Sequence, residues 1–563
     1  MPFLVFFLLI LCFLLSGYGL LTLFGLRLKT AYTITLSLLL GIAVASFIPF
    51  LLQLFYIVLT PATVFGSILL AALLLNTPTL RRIRKEGFPS VRQSFAIKPI
   101  RIRPYEIPYL LILGFLIFVS IWRCYYLPPT SRDALSGPEA IAEYAVREHT
   151  MINSFFSIDL WSTNNQFKSP FLISLQMICK MAGFPFGQVW LSVVFVSFTV
   201  FLYHALKEKL HPIIAGLLIL LLMMAPELYA YTFMILYDYS NMVFFFLSLY
   251  FLFDYFSSLT PADTASTIPA PSPARQQAAP AVPSVAGGLP QAMPANRQFY
   301  FAGLLMGIAT YIRSETLVLA FLFLPLILIA QRRAGHSLDK AALAKKMIRG
   351  NILFFLPSLL GYYLTTQLYI GHYLPVHYDI GGLVNPHLTD LHPLFKRYAD
   401  IITRLLSGEF AIHLWGYLFY LTAFLFLAEC IFLRRFSRPA LNWLYAIVVV
   451  YLGLGALGYL LPMMNLDETT KRALFKLLPL ALLYLANNGL LIRLSQWISR
   501  WETTARIPSV PPSSGKTATA GKAPAPGRPI SVSKPALGRP LSASKPAPGN
   551  AAGKSAPGKK RKR

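Results

Sequence analysis

A chain of 563 residues that is 56% apolar, with a mean hydropathy of +0.59, is too greasy for a soluble globular protein and reads as one that crosses a membrane many times. A net charge of +28 would suit a nucleic-acid binder, but thirteen Lys or Arg and no acid fall between Thr503 and Arg563, and the remaining excess sits in short loops. That distribution is a topology signal, and nucleic acid is excluded as an expected partner. The four cysteines, Cys12, Cys124, Cys179 and Cys430, show neither a disulfide framework nor metal-ligand spacing, so no metal or other cofactor is implied.

The opening run has no basic leader and is too long for a cleaved signal, so it reads as a retained first span. Apolar stretches long enough to cross lipid fall near 3–25, 32–57, 62–79, 107–127, 188–206, 212–228, 236–256, 350–372, 412–432, 441–462 and 473–491. The stretch 299–331 is interrupted by Arg313 and Glu315 and splits into two helices there, giving about thirteen spans and an all-α polytopic bundle. Five basic loops, at 26–29, 81–103, 207–209, 331–350 and 434–438, then fall on one side. By the positive-inside rule that side is cytoplasmic, with the amino terminus outside and the carboxyl terminus inside. Segments 128–187, 229–238, 373–411 and 465–472 face outward together with Arg313 and Glu315.

The chain divides into a three-span module (1–80), a basic cytoplasmic loop (81–106), a first core part (107–256) containing the large outer loop 128–187, and a second core part (299–495). Residues 257–298, rich in Ala, Pro and Ser, and the basic tail 496–563 lack apolar periodicity and are expected to be disordered and cytoplasmic. The tail repeats "GRPISVSKPAL" as "GRPLSASKPAP" and suits anionic headgroups.

Chemistry is expected at the outer surface. In "SRDALSGPEAIAEYAVREHTM", Ser136 and Pro138 suit a helix start, and Ile141, Tyr144 and Ala145 share a face, which predicts an amphipathic helix on the membrane surface. Asp133 precedes it, at the lipid boundary, as a base for activating a hydroxyl. Asp238 opens a later span and is a candidate for the acceptor pocket. Arg313 between two helices, and Lys471 and Arg472 at the outer end of the last span, are candidate phosphate ligands; Lys168 and Glu315 complete the substrate-binding set. Histidines 372, 377, 387 and 392 share an outer region with Asp379 and Asp390, but their spacing fits no tight ligand pattern.

Several stretches resemble the bacterial members of the GT-C superfamily, polytopic glycosyltransferases that include protein O-mannosyltransferases and aminoarabinose transferases. They are Arg132-Asp133 after a span, "KSPFLISLQMICKMAGFPFG", "LYDYSNMVFFFLSLYFLF", "GLLMGIATYIRSETLVLAFLFLPL" and "TKRALFKLLPLALLYL". Lys168-Ser169-Pro170 stands where the family usually has His-Pro-Pro. The resemblance covers most of 1–495 in short, loose motifs. It implies a GT-C-like bundle with interfacial helices in a bacterial cytoplasmic membrane. The implied activity is inverting transfer of a sugar from a polyprenyl-phosphate donor to a lipid, glycan or protein acceptor on the outer face. The partners would be that donor, membrane lipids and an acceptor left open. A polysaccharide ligase or polymerase, a lipid-linked glycan flippase and a non-catalytic scaffold are the competing readings.

Overall fold

The computed structural model describes residues 2–26, 28–86, 102–157, 168–259, 295–334, 340–374, 390–461, 464 and 466–505. All regular structure among them is helical. Among the described residues eight helices are long and apolar enough to cross a membrane: Pro2–Leu23, Thr30–Leu54, Pro104–Tyr126, Trp190–Lys207, Tyr237–Leu259, Thr316–Ala334, Lys340–Tyr373 and Arg438–Leu460. The pair Lys471–Ala486 and Gly489–Glu502, bent by 55°, makes a ninth if taken as one span. The protein is therefore an α-helical, multi-pass membrane protein, with fewer clear spans than the thirteen expected.

The shortfall has a physical cause. Pro61–Leu75, Pro212–Met223 and Leu418–Leu433 are shorter apolar helices; fifteen residues reach only about 22 Å against a hydrocarbon core of about 30 Å. The Ala295–Ile312 helix is diluted at its start by Asn296, Arg297 and Gln298. Arg313 does divide 299–331 in two, since the next helix begins at Thr316.

Polar contacts sort the loops onto two ends of the bundle. At one end Lys29 Nζ meets Glu208 Oε1 at 2.7 Å, Lys207 Nζ meets Glu106 Oε2 at 3.1 Å, and Arg103 and His211 both reach Glu502. Asn487 receives a hydrogen bond from Lys209 Nζ and one from Ser437 Oγ, while Gln298 Nε2 donates to Asp254. The described parts of four of the five basic loops, those at 26–29, 81–103, 207–209 and 434–438, thus gather together. At the opposite end, Gln53 Oε1 accepts from Thr150, Lys471 meets Glu227, and the segment from Asp390 lies against Tyr459.

Three expectations need correction. The Pro138–Glu148 helix does not present an apolar face outward. Ile141, Ala142 and Ala145 are fully buried against protein, because its Glu139 and Glu143 are drawn to Lys180 of the Pro170–Met181 helix at 2.7 and 2.9 Å. Burial pushes the Glu139 carboxyl up while Lys180 holds Glu143 below its usual range. Its N-cap residue is Gly137, not Ser136. Second, helix continues to Leu259 and resumes at Ala295, so the expected insertion at 257–298 is ordered at both ends; 260–294 lie outside the described residues. Third, the tail expected from 496 begins as helix as far as Ala505, where Leu494, Trp497 and Trp501 form an exposed stripe and Glu502 holds the far end. The rest of the tail lies outside the described residues, as do His377, Asp379 and His387.

The Ala295–Ile312 helix packs closely on Lys340–Tyr362 through Gly303 and Gly307. A Cβ on Gly303 would lie 2.6 Å from the Phe354 carbonyl oxygen, and one on Gly307 2.7 Å from that of Pro357. This is the small-xxx-small contact by which membrane helices bring their backbones together. It sets where the carboxyl end of this helix, and therefore Arg313, sits.

Candidate active site

Five separate stretches of chain deliver charge to the end of the bundle opposite the basic loops. The short Arg132–Leu135 helix carries Asp133, and the loop before Pro170 carries Lys168. The Tyr237–Leu259 helix opens with Tyr237-Asp238, the turn after Ile312 carries Arg313 and Glu315, and the helix starting at Lys471 brings Arg472 and Lys476. Each is held by its surroundings. Tyr237 Oη donates to the Ser169 carbonyl at 2.9 Å, tying the Lys168 loop to the Asp238 helix. Asn241 Nδ2 donates to the Ala309 carbonyl at 2.7 Å and to Thr316 Oγ1 at 2.9 Å, bracketing the Arg313 turn. Phe475 packs edge-on against Tyr231, with ring centroids 4.5 Å apart, and against Trp415, which orients the helix bearing Arg472 and Lys476.

Asp133, Lys168, Asp238, Arg313 and Arg472 line one cleft together with Pro138 and Tyr237. Asp238, only 4% exposed, pairs with Arg313, whose Nε lies 3.0 Å from Glu315 Oε1. Asp133 pairs with Arg472. Lys476 Nζ lies 4.0 Å from Glu315 Oε1, is 1% exposed and has no hydrogen-bond partner among the described residues. Lys168 is half-buried; burial, reinforced by Arg313, pushes its pKa down to about 8. The cluster thus holds four cations against three carboxylates.

All seven residues singled out from sequence lie at this end. Six come together, including Glu315 one contact back from the cleft, while Lys471 turns aside to pair with Glu227 at 2.8 Å. Lys476 and Glu227 escaped sequence reasoning. Lys476 had one legible signal: it stands one helical turn beyond Arg472 in "KRALFKLLPL", a charge inside an apolar run.

The cleft is nearly closed, with about 20 Å³ of free volume, room for one water molecule. On the other side of the Arg132–Leu135 helix an open depression of about 410 Å³ is lined by Thr130, Arg132, Leu135, Ser136 and Phe155. Asp133 therefore stands between a tight cationic cleft and an open surface. Among the described residues no group of three or more His, Cys, Asp or Glu is placed to hold a metal, and the four cysteines are free. No family model, curated protein or solved structure matches the chain.

Proposed function

We propose that this protein is an integral-membrane glycosyltransferase of the GT-C type, a bundle of about thirteen membrane helices in a bacterial cytoplasmic membrane. It moves a sugar from a polyprenyl-phosphate donor to an acceptor on the outer face, with inversion. The observation that carries this reading is the cleft where Asp133 and Asp238 meet Lys168, Arg313 and Arg472 at a membrane-end surface. Charges removed from water at such a place are costly and are kept for use.

A sugar on a lipid phosphate already has a good leaving group, so the site needs a base for the acceptor and cations for the departing phosphate. Arg313 and Arg472 offer planar forks for phosphate oxygens, and Lys168 and Lys476 add point charges. In the closed cleft Asp133 and Asp238 occupy the guanidinium faces that a phosphate would take. A donor phosphate that draws Arg472 to itself uncovers the Asp133 carboxylate toward the acceptor's depression. The acceptor oxygen then bonds to the anomeric carbon as the carbon–oxygen bond to phosphate breaks. The acceptor proton passes to Asp133, and the phosphate leaves with the bonding electron pair. Glu315, on Arg313 Nε, keeps that guanidinium in place throughout.

The test is transfer from radiolabelled polyprenyl-phosphate hexoses by the full chain in nanodiscs. Asp133→Asn is expected to lower transfer by about 10²–10⁴-fold while the protein still binds farnesyl phosphate. Full activity in that variant would remove the base, and no farnesyl phosphate binding by the parent protein would remove the site.

A further inference from the structure

The His392–Leu406 helix has three faces. Ile401 and Leu405 are buried against the bundle, Lys396, Asp400 and Arg404 form a polar stripe, and Leu391, Phe395 and Ile402 lie exposed with Leu406 along a third. Spacings of four, seven and four residues put those four apolar side chains within one narrow stripe. Nothing among the described residues covers them.

What lies beside that stripe identifies its occupant. Tyr398 Oη donates to the Leu452 carbonyl and Tyr451 Oη to the Tyr398 carbonyl, both at 2.9 Å, so the helix runs along Arg438–Leu460, one of the membrane-crossing helices. Val448, Leu452 and Leu460 of that helix are themselves exposed. The apolar stripe thus continues the surface that the spanning helix turns to lipid, and its polar neighbour stripe faces water. That is the pattern of a helix lying in the headgroup–acyl boundary.

The same helix grips the segment that leads into Arg472. Gly455 and Gly458 leave bare backbone on which Tyr398 and Arg397 rest; a Cβ there would fall 2.0 and 1.9 Å from those side chains. Arg397 continues past Gly458 to donate to the Met464 carbonyl and, at 2.5 Å, to Thr470 Oγ1, while Arg404 pairs with Asp467. Thr470 immediately precedes Lys471 and Arg472.

We propose that His392–Leu406 is a lipid-seated strap. The leaflet holds its apolar stripe, and Arg397 and Arg404 carry that seat to 464–472, with Arg397 acting as a positioning residue for the Arg472 guanidinium. The lipid seat stands independently of the proposed sugar chemistry; only the value of placing Arg472 rests on it.

Nitroxide labels at Phe395→Cys, Ile402→Cys and Lys396→Cys, in full-length protein with Cys12 and Cys430 changed to Ser and reconstituted in phosphatidylethanolamine–phosphatidylglycerol nanodiscs, read the seat directly. Positions 395 and 402 are expected to collide with oxygen and be shielded from a water-soluble nickel chelate, and 396 the reverse. Chelate access at all three overturns the seat, as does shielding of 395 and 402 from both quenchers, which would mean a second copy or another protein covers them. In the same discs, amide exchange across 466–472 reads the coupling. Phe395→Ser/Ile402→Ser, which touches none of those residues, and Arg397→Ala are each expected to speed it about tenfold, with Arg397→Lys closer to the parent. Unchanged exchange in the lipid-face variant overturns the coupling. Both readouts are independent of sugar transfer, so they can fail or succeed apart from it.

Discussion

The surplus of one positive charge in the cleft makes its two buried partners unequal. Asp238→Asn leaves four cations against two carboxylates, whereas Arg313→Gln leaves three against three. At an effective dielectric of about 20, two like charges about 6 Å apart repel by about 2.8 kcal/mol, which sets the scale for one further uncompensated charge. Both substitutions break a buried pair, which alone is costly. Asp238→Asn is therefore expected to be the worse by about 2–3 kcal/mol, and the double variant, which restores the original surplus, to recover much of that difference. Denaturing-detergent titration of the purified protein in mixed micelles, with both singles and the double measured together, completes the cycle. If Arg313→Gln is as damaging as Asp238→Asn, or the double is simply additive, the cleft does not carry the charge balance described above.

Lys168 predicts opposite pH trends for stability and anion binding. Burial lowers its pKa from 10.5 to about 8, so between those values the unfolded chain holds more protons and stability rises with pH. Over the same window the ammonium is lost and farnesyl phosphate binding weakens; Lys168→Met is expected to reduce both trends, as thermal unfolding and calorimetric titration from pH 7 to 10 would show. Arg472→Lys keeps the charge but loses the fork that meets Asp133, and farnesyl phosphate affinity is expected to fall about tenfold, or about 1.4 kcal/mol. Gly307→Val drives a side chain into the Pro357 backbone and is expected to cost about 1–3 kcal/mol by thermal unfolding, with phosphate binding weakened as well.

The residues of the site were legible one at a time because each breaks an apolar pattern: Asp133 after a span, Asp238 at a helix start, Arg313 inside a run too long for one crossing. Their pairings were not. Asp133 and Arg472 are 339 residues apart, and nothing local to either selects the other. Glu315 stands two residues from Arg313 in sequence, but Asp238, 75 residues away, reaches it from the neighbouring helix. Lys476 was hidden by its apolar surroundings. The Pro138–Glu148 helix misled because an amphipathic face does not say whether lipid or protein covers it; here Lys180, outside the helix, decides. The short helices Pro61–Leu75 and Pro212–Met223 fall inside longer apolar runs because hydropathy continues past the point where the backbone turns.

Gly303 and Gly307 reach beyond their own contact. Ten residues of unbroken helix, about 15 Å of stiff rod, run from Gly303 to the arginine at its tip. With no hinge between them, any bulk wedged under the shaft must tilt or slide the tip. A screen for lost activity should therefore pick out these two chemically inert positions, deep between helices, alongside the charged residues of the cleft.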